Sequence, residues 1–262
     1  MLRYLRLFLV QMRTSVAAGM AYRADFIVEG VTALAWMGLT LLPYYVLFSE
    51  RSTVAGWDAS SGLVVIAYFM GVRAILEGVV SPSFVDLVER IRSGAFDYVL
   101  LKPVDAQAII SASRFEPWKV FDLLGAFVLL GYSFYKRGHG PDAPDVVLGI
   151  VLFIAGVLAM YSLWILCAAA SFWVVRLDNL TYLLGAIFDT GRWPVHVFPR
   201  VWRLVFTFVI PVAVMTTYPA MALLGLLDTK AAFATIGGAL ALLVVSRLIW
   251  RAAIRSYTSA SS

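Results

Sequence analysis

Little in this chain suits water or catalysis. Of its 262 residues only 14% are charged, against 61% hydrophobic, and there are one cysteine and two histidines. Soluble domains carry about 25% charged residues. A water-soluble domain of this size needs polar cover that this composition cannot supply, so an ordinary globule is excluded and a bilayer is implied. Cys167 has no second cysteine to pair with, so nothing reports an oxidising compartment. His139 and His196 are too few and too isolated for a metal cluster, and no metal is expected. A phosphate-binding loop needs Lys-Ser or Lys-Thr after its glycines, but Lys102, Lys119, Lys136 and Lys230 precede Pro103, Val120, Arg137 and Ala231. His-Glu-x-x-His and Gly-x-Ser-x-Gly are also missing. No catalytic residue and no cofactor is expected on this chain. Uphill transport would draw on an ion gradient or a partner.

What is present is long apolar runs. A hydrocarbon core about 30 Å thick takes about 20 helical residues to cross. Candidate spans are 26–48, 62–80, 117–135, 146–174 and 231–250. A further apolar region, 180–228, is interrupted by Pro194, Pro199, Pro211 and Pro219, and must hold one more net crossing if the termini share a side. The expected fold is therefore all-α and integral to the membrane, with six transmembrane helices. In front of them, residues 1–24 place Leu2, Leu5, Leu9, Met12 and Val16 on one helical face and Arg3, Arg6, Gln11 and Arg13 elsewhere. This is an amphipathic helix suited to the headgroup plane, and its apolar run is too short for a cleaved signal.

The formal charge is +5, and its arginines flank hydrophobic segments, which suits lipid headgroups and not nucleic acid. One side gathers Arg3, Arg6, Arg13, Arg23, Arg90, Arg92, Lys102, Arg114, Lys119, Arg176, Arg247, Arg251 and Arg255; the other holds Arg51, Lys136, Arg137 and Lys230. The positive-inside rule makes the first side cytoplasmic, with both termini and the tail 256–262. The sequon Asn179-Leu180-Thr181 follows a cytoplasmic turn and is discounted. Trp36, Tyr44, Tyr45, Trp57, Trp118, Tyr132 and Trp250 cluster towards span ends, as interfacial belts do.

Two places carry chemistry. Arg73 and Glu77 lie four residues apart within a span and can pair; Asp122 and Asp189 are weaker candidates of the same kind. They read either as a structural clamp or as contacts along a substrate path or dimer seam, while Asp25 and Glu29 lie near enough to the interface to be solvated. In the loop 81–116, Pro82 suits a helix start and Gly94 its cap. Phe84, Leu87, Val88 and Ile91 make an apolar face, and Asp86, Glu89, Arg90 and Arg92 a polar one. Periodicity alone favours a plain interfacial helix joining two spans.

The run Ile91-x-x-Gly94-x-Phe96-Asp97-x-x-Leu100-x-Lys102-Pro103 resembles the cytoplasmic loop of permeases in the second class of ABC exporters. Arg192-Trp193-Pro194 with Phe198-Pro199, Phe208-Val209-Ile210-Pro211, Tyr218-Pro219-Ala220 and Ala253-Ile254-Arg255-Ser256-Tyr257 are similar to later parts of that family. The resemblance implies one permease domain over 25–255 and a coupling helix around 82–94 that docks into a cleft on an ATPase. Glu89, Arg90 and Arg92 would make polar contacts there, and Phe84 and Val88 would pack. It implies that about 180–193 crosses and 194–228 is re-entrant on the outer side, with Arg192, Arg200 and Arg203 outside; hydrophobicity alone would choose 201–218 as the crossing. It further implies two copies of a partner ATPase carrying ATP and Mg, a second permease as heterodimer or homodimer, and export across the bacterial inner membrane. No residue selects the cargo. The rival readings are an ion-coupled carrier recruiting Glu77, Asp122 and Asp189, and an intramembrane enzyme.

Overall fold

The structure, a computed structural model, describes residues 2–21, 23–111, 113–173 and 185–257. Arg176, the Asn179 sequon, the start of the expected 180–193 crossing and the tail beyond Tyr257 lie outside the described residues, as do the side chains of Leu2, Arg3, Leu5, Arg6, Arg23 and Asp25. The helices are α1 (Leu2–Ala21), α2 (Arg23–Glu50), α3 (Ala59–Ile75), α4 (Ser81–Arg92), α5 (Asp97–Leu100), α6 (Ala106–Ile110), α7 (Val120–Arg137), α8 (Ala143–Ala170), α9 (Arg200–Leu204), α10 (Tyr218–Leu223) and α11 (Thr229–Arg255). A two-stranded hairpin, β1 (Thr53–Val54) and β2 (Trp57–Asp58), turns through Ala55 and Gly56, both at positive φ.

Side-chain contacts give the helix directions. Tyr44 of α2 donates to the Ala59 carbonyl at the start of α3, so these two helices are antiparallel. Ser133 of α7 reaches the Ser60 carbonyl at 2.7 Å, while Lys119, just before α7, reaches Glu77 beyond α3. Helix α7 therefore also runs against α3. Helices α8 and α11 run parallel: Ala155 and Ala159 pack with Ala239 midway, and Phe172 meets Trp250 at one end. Small residues at these crossings let backbones approach closely, as membrane helices require. Because α8 ends beside the end of α11 and not its start, the chain between Ser171 and Thr229 must return across the bundle. The end bearing residues 93–119 is called the loop end below.

Among the described residues, four helices are long and apolar enough to cross a membrane: Ile27–Glu50, Ala59–Arg92, Ala143–Ala170 and Thr229–Arg255. Helix α7 covers most of the expected span 117–135 but carries Asp122, Lys136 and Arg137 in its 18 residues. Almost none of α2 is buried inside the chain; Ile27, Val31, Leu34, Leu42 and Tyr45 all face outward. A face of that size and apolarity is covered by lipid or another protein, never by water. Of the expected interfacial aromatics, Trp36, Tyr45 and Tyr132 are exposed, but Tyr44, Trp57 and Trp250 are buried and act as packing residues instead.

Three π-helical turns set the shape: Leu76–Val80, Val205–Val209 and Ala213–Thr217. Each ends two residues before a proline, namely Pro82, Pro211 and Pro219. Proline has no N–H to give the carbonyl four residues back, and its ring crowds that carbonyl, so the preceding turn widens. At Pro82 the released Gly78 carbonyl accepts the Glu116 N–H at 2.8 Å. The helix continues through this turn without a break, so Pro82 does not begin a separate helix; α4 is the extension of α3, running together over Ala59–Arg92.

The proline-punctuated region is a bent pair, Arg200–Val209 and Ala213–Leu223, at 78°. Phe188 packs on Phe69 and Trp164, the Val195 N–H reaches Thr217 Oγ1 at 3.0 Å, and His196 lies 6.4 Å from Trp57. Residues 188–196 thus climb away from the loop end. Val212 then returns to the level of Gly191, and the chain rises again until Gly225 lies beside Asp145 at the start of α8. This is a dip and return, not the straight helix that hydrophobicity over 201–218 would give.

Candidate functional site

The four charged span residues singled out in the sequence come together. Arg73 Nε donates to Glu77 Oε1 at 2.7 Å, and Lys119 Nζ donates to Glu77 Oε2, also at 2.7 Å. Lys119 lies 3.4 Å from Asp122, Arg73 Nη1 lies 3.8 Å from Asp189, and Asp189 is 3.4 Å from Arg192. Three cations and three carboxylates form one chain of contacts across α3, α7 and the 189–192 turn. Arg73 and Arg192 each stand 6.0 Å from the Phe69 ring, a cation–π geometry. Arg192 lies beside Phe69 within the bundle, paired with Asp189. Neutral pairing of this kind removes the cost of isolated ions in hydrocarbon. A small polar pocket of about 140 Å³ opens on the network between Glu29, Thr32, Thr40, Arg73 and Asp122. Lys119 and Arg192 were not recognised as members from sequence, since Lys119 looks like a topology residue before a span.

The loop end carries the second cluster. Gly94, at φ 75°, caps α4 as expected, with its N–H on the Ile91 carbonyl and the Phe96 N–H on that of Arg90. Phe96 is 0% exposed and packs edge-on to Phe172 and Tyr257, and Phe172 in turn meets Trp250. Further on, Asp105 caps α6 and forms a two-pronged pair with Arg247 of α11. Arg247 also donates to Gln107 at 2.6 Å, and Gln107 and Ser111 both bond the Tyr161 hydroxyl of α8. Arg247 holds the Asp105 carboxyl below its usual range by this hydrogen bonding. The loop is fastened to the ends of α8 and α11 at two separate points.

That fastening changes which residues face outward. Phe84 is 6% exposed and Leu87 1%, both packed inside the chain, so the expected apolar docking face is turned inward. Val88 and Ile91 are half-buried against the same core. Asp86 is buried and takes Arg90 at 2.7 Å and Arg114 at 3.4 Å, which occupies Arg90 internally. Asp97 and Gly94 are half-buried. Glu89, Arg92, Lys102 and Pro103 are exposed. Beside them stand two residues that periodicity did not single out: Tyr98, 71% exposed, and Leu101, 79% exposed. Pro194 and Pro199 frame the 195–197 turn, and Pro211 and Pro219 follow the π turns of the bent pair. Among the described residues no group of His, Cys, Asp or Glu could hold a metal ion.

Long apolar helices with outward-facing aliphatic surfaces, packed round an ionic network, define a multi-pass helical membrane protein. Its more particular affiliation comes from the sequence as a whole: the profile of the family described as ABC-2 family transporter protein matches residues 34–261. The chain belongs to that family and is a membrane component of transport. Neither the curated proteins nor the solved structures give a match.

Proposed function

We propose that this chain is the permease of an ATP-driven exporter whose ATPase is a separate polypeptide seated at the loop end. The observation that carries this reading is the tip at 98–103, exposed except for Val99 and partly apolar, on a loop fastened to α8 and α11. A push on such a tip is passed to two long helices instead of being absorbed by a slack loop. Tyr98 and Leu101 pack in the ATPase cleft, with Glu89, Arg92 and Lys102 around them; Phe84 and Leu87 serve the fold from inside. On this reading the loop end is cytoplasmic, α7 and the 171–229 return complete six crossings, and both termini share the cytoplasmic side of a bacterial inner membrane. Two permeases, alike or different, pair above two ATPase subunits that bind ATP and Mg. The carboxylates an ion-coupled carrier would titrate, Glu77, Asp122 and Asp189, each lie beside a cation, which favours a structural ionic network over a proton relay.

The test is a pull-down of the full-length protein carrying Tyr98→Asp and Leu101→Asp. Burying two such side chains is worth about 3 kcal/mol or more, so ATPase recovery falls at least about tenfold. Undiminished recovery removes the proposed docking tip.

A further inference from the structure

Between α1 and the bundle lies a cavity of about 850 Å³. Phe8, Met12 and Val16 form its α1 wall, and Ile75, Val79 and Leu123 face them from the end of α3, the π turn after it and α7. Phe8 is braced by Phe115, edge-on at 5.0 Å. Thus Met12 and Val16, on the expected apolar stripe of α1, look into the cavity and not into a packed core. An amphipathic helix in the headgroup plane puts such a space at the acyl layer of its own leaflet.

Two charged side chains reach the cavity wall, Lys119 and Glu116. Lys119 is already committed to Glu77 and Asp122. Glu116 makes no ion pair among the described residues. Its carboxylate feels the opposite charge of Lys119 and the like charges of Glu77 and Glu29. Burial raises its pKa above the ordinary carboxylate value. A half-buried carboxylate beside an apolar space is relieved by a cation that brings its own apolar body.

We propose that this cavity seats a phospholipid of the adjoining leaflet whose headgroup ends in a primary ammonium, with its chains among Phe8, Met12, Val79 and Leu123 and its ammonium on Glu116. The Glu116 carboxylate disfavours a headgroup that lacks a cation in the same place. The bound lipid fills the gap between α1 and the bundle and holds the N-terminal helix against α3.

The experiment uses full-length protein in vesicles of equal parts phosphatidylethanolamine and phosphatidylglycerol with identical oleoyl chains. After mild extraction, native mass spectrometry counts the lipids retained. The wild type retains phosphatidylethanolamine by about fivefold over phosphatidylglycerol, the size expected of one partly screened ammonium–carboxylate pair. Glu116→Gln retains both lipids equally, and Val79→Trp, which fills the cavity, retains neither. Equal retention by the wild type, or a preference unchanged in Glu116→Gln, overturns the proposal. The Glu116 arm decides the matter should the tryptophan variant fail to fold. No ATPase enters this measurement, so its outcome is independent of the exporter reading.

Discussion

Glu77 accepts hydrogen bonds from two cations at once, and the second of them, Lys119, is 42 residues away in the chain at 2.7 Å. The same carboxylate holds Arg73 on its other oxygen. Helix α3 is thereby tied to the start of α7 where an unpaired charge would be costly. Glu77→Gln leaves both cations short of a partner and lowers stability by about 1–3 kcal/mol, after allowance for partial exposure. Thermal unfolding in detergent reads this, and the cycle with Lys119→Met gives a coupling of about 1 kcal/mol. Additive single variants would mean that the pair is incidental.

The bent pair rests on Gly156. A Cβ there would stand 2.9 Å from Met215 Cα and 2.9 Å from the Val214 carbonyl oxygen, both backbone atoms that cannot swing away. Gly156→Ala costs about 1–3 kcal/mol through overpacking. Gly38→Ala, which meets nothing within 4 Å, is neutral or stabilising. Comparable melting temperatures for the two variants would contradict the close approach.

Asp105 and Arg247 tie the loop to α11, and the sign of their pH response follows from the depressed carboxyl. A carboxylate with a lowered folded pKa contributes stability above the ordinary aspartate value of about 3.9 and loses it as pH falls through the folded value. The clamp is therefore constant from pH 5 to 8 and released only in stronger acid. Asp105→Asn opens the 97–111 segment to limited proteolysis at neutral pH, while the wild type keeps it protected down to pH 5. Loss of wild-type protection between pH 7 and 5 would point to a different group.

Pro82→Ala restores an N–H that competes with Glu116 for the Gly78 carbonyl. The π turn relaxes towards α, and the Glu116 amide exchanges its hydrogen faster, by about fivefold for a bond worth about 1 kcal/mol. Unchanged exchange at Glu116 would mean that the turn is set by packing instead of by the proline.

Much of the architecture was legible because its causes are local. Apolar runs located α2, α3, α8 and α11, the four-residue spacing paired Arg73 with Glu77, and Gly94 marked the end of α4. The proline-broken stretch reads as irregular, and two π turns explain part of how: Pro211 and Pro219 each follow a widened turn. What stayed hidden depends on contacts distant in sequence. An amphipathic helix shows an apolar face but not what covers it, so Phe84 and Leu87 read equally well as docking residues or as core. Lys119 and Arg192 each sit three residues from a carboxylate, Asp122 and Asp189, but the Lys119–Glu77 bond across the chain forms only on folding, as does the Asp105–Arg247 pair. Tyr98 and Leu101 stand out as a tip only because Phe96 before them and Val99 between them point inward.

The central claim is tested most directly by affinity purification of the full-length protein from its native host in mild detergent, followed by identification of what co-purifies. The account predicts a stoichiometric Walker-motif ATPase that is lost when Tyr98 and Leu101 are both replaced by aspartate. A protein that runs without any ATPase, even after gentle crosslinking, would contradict the exporter reading.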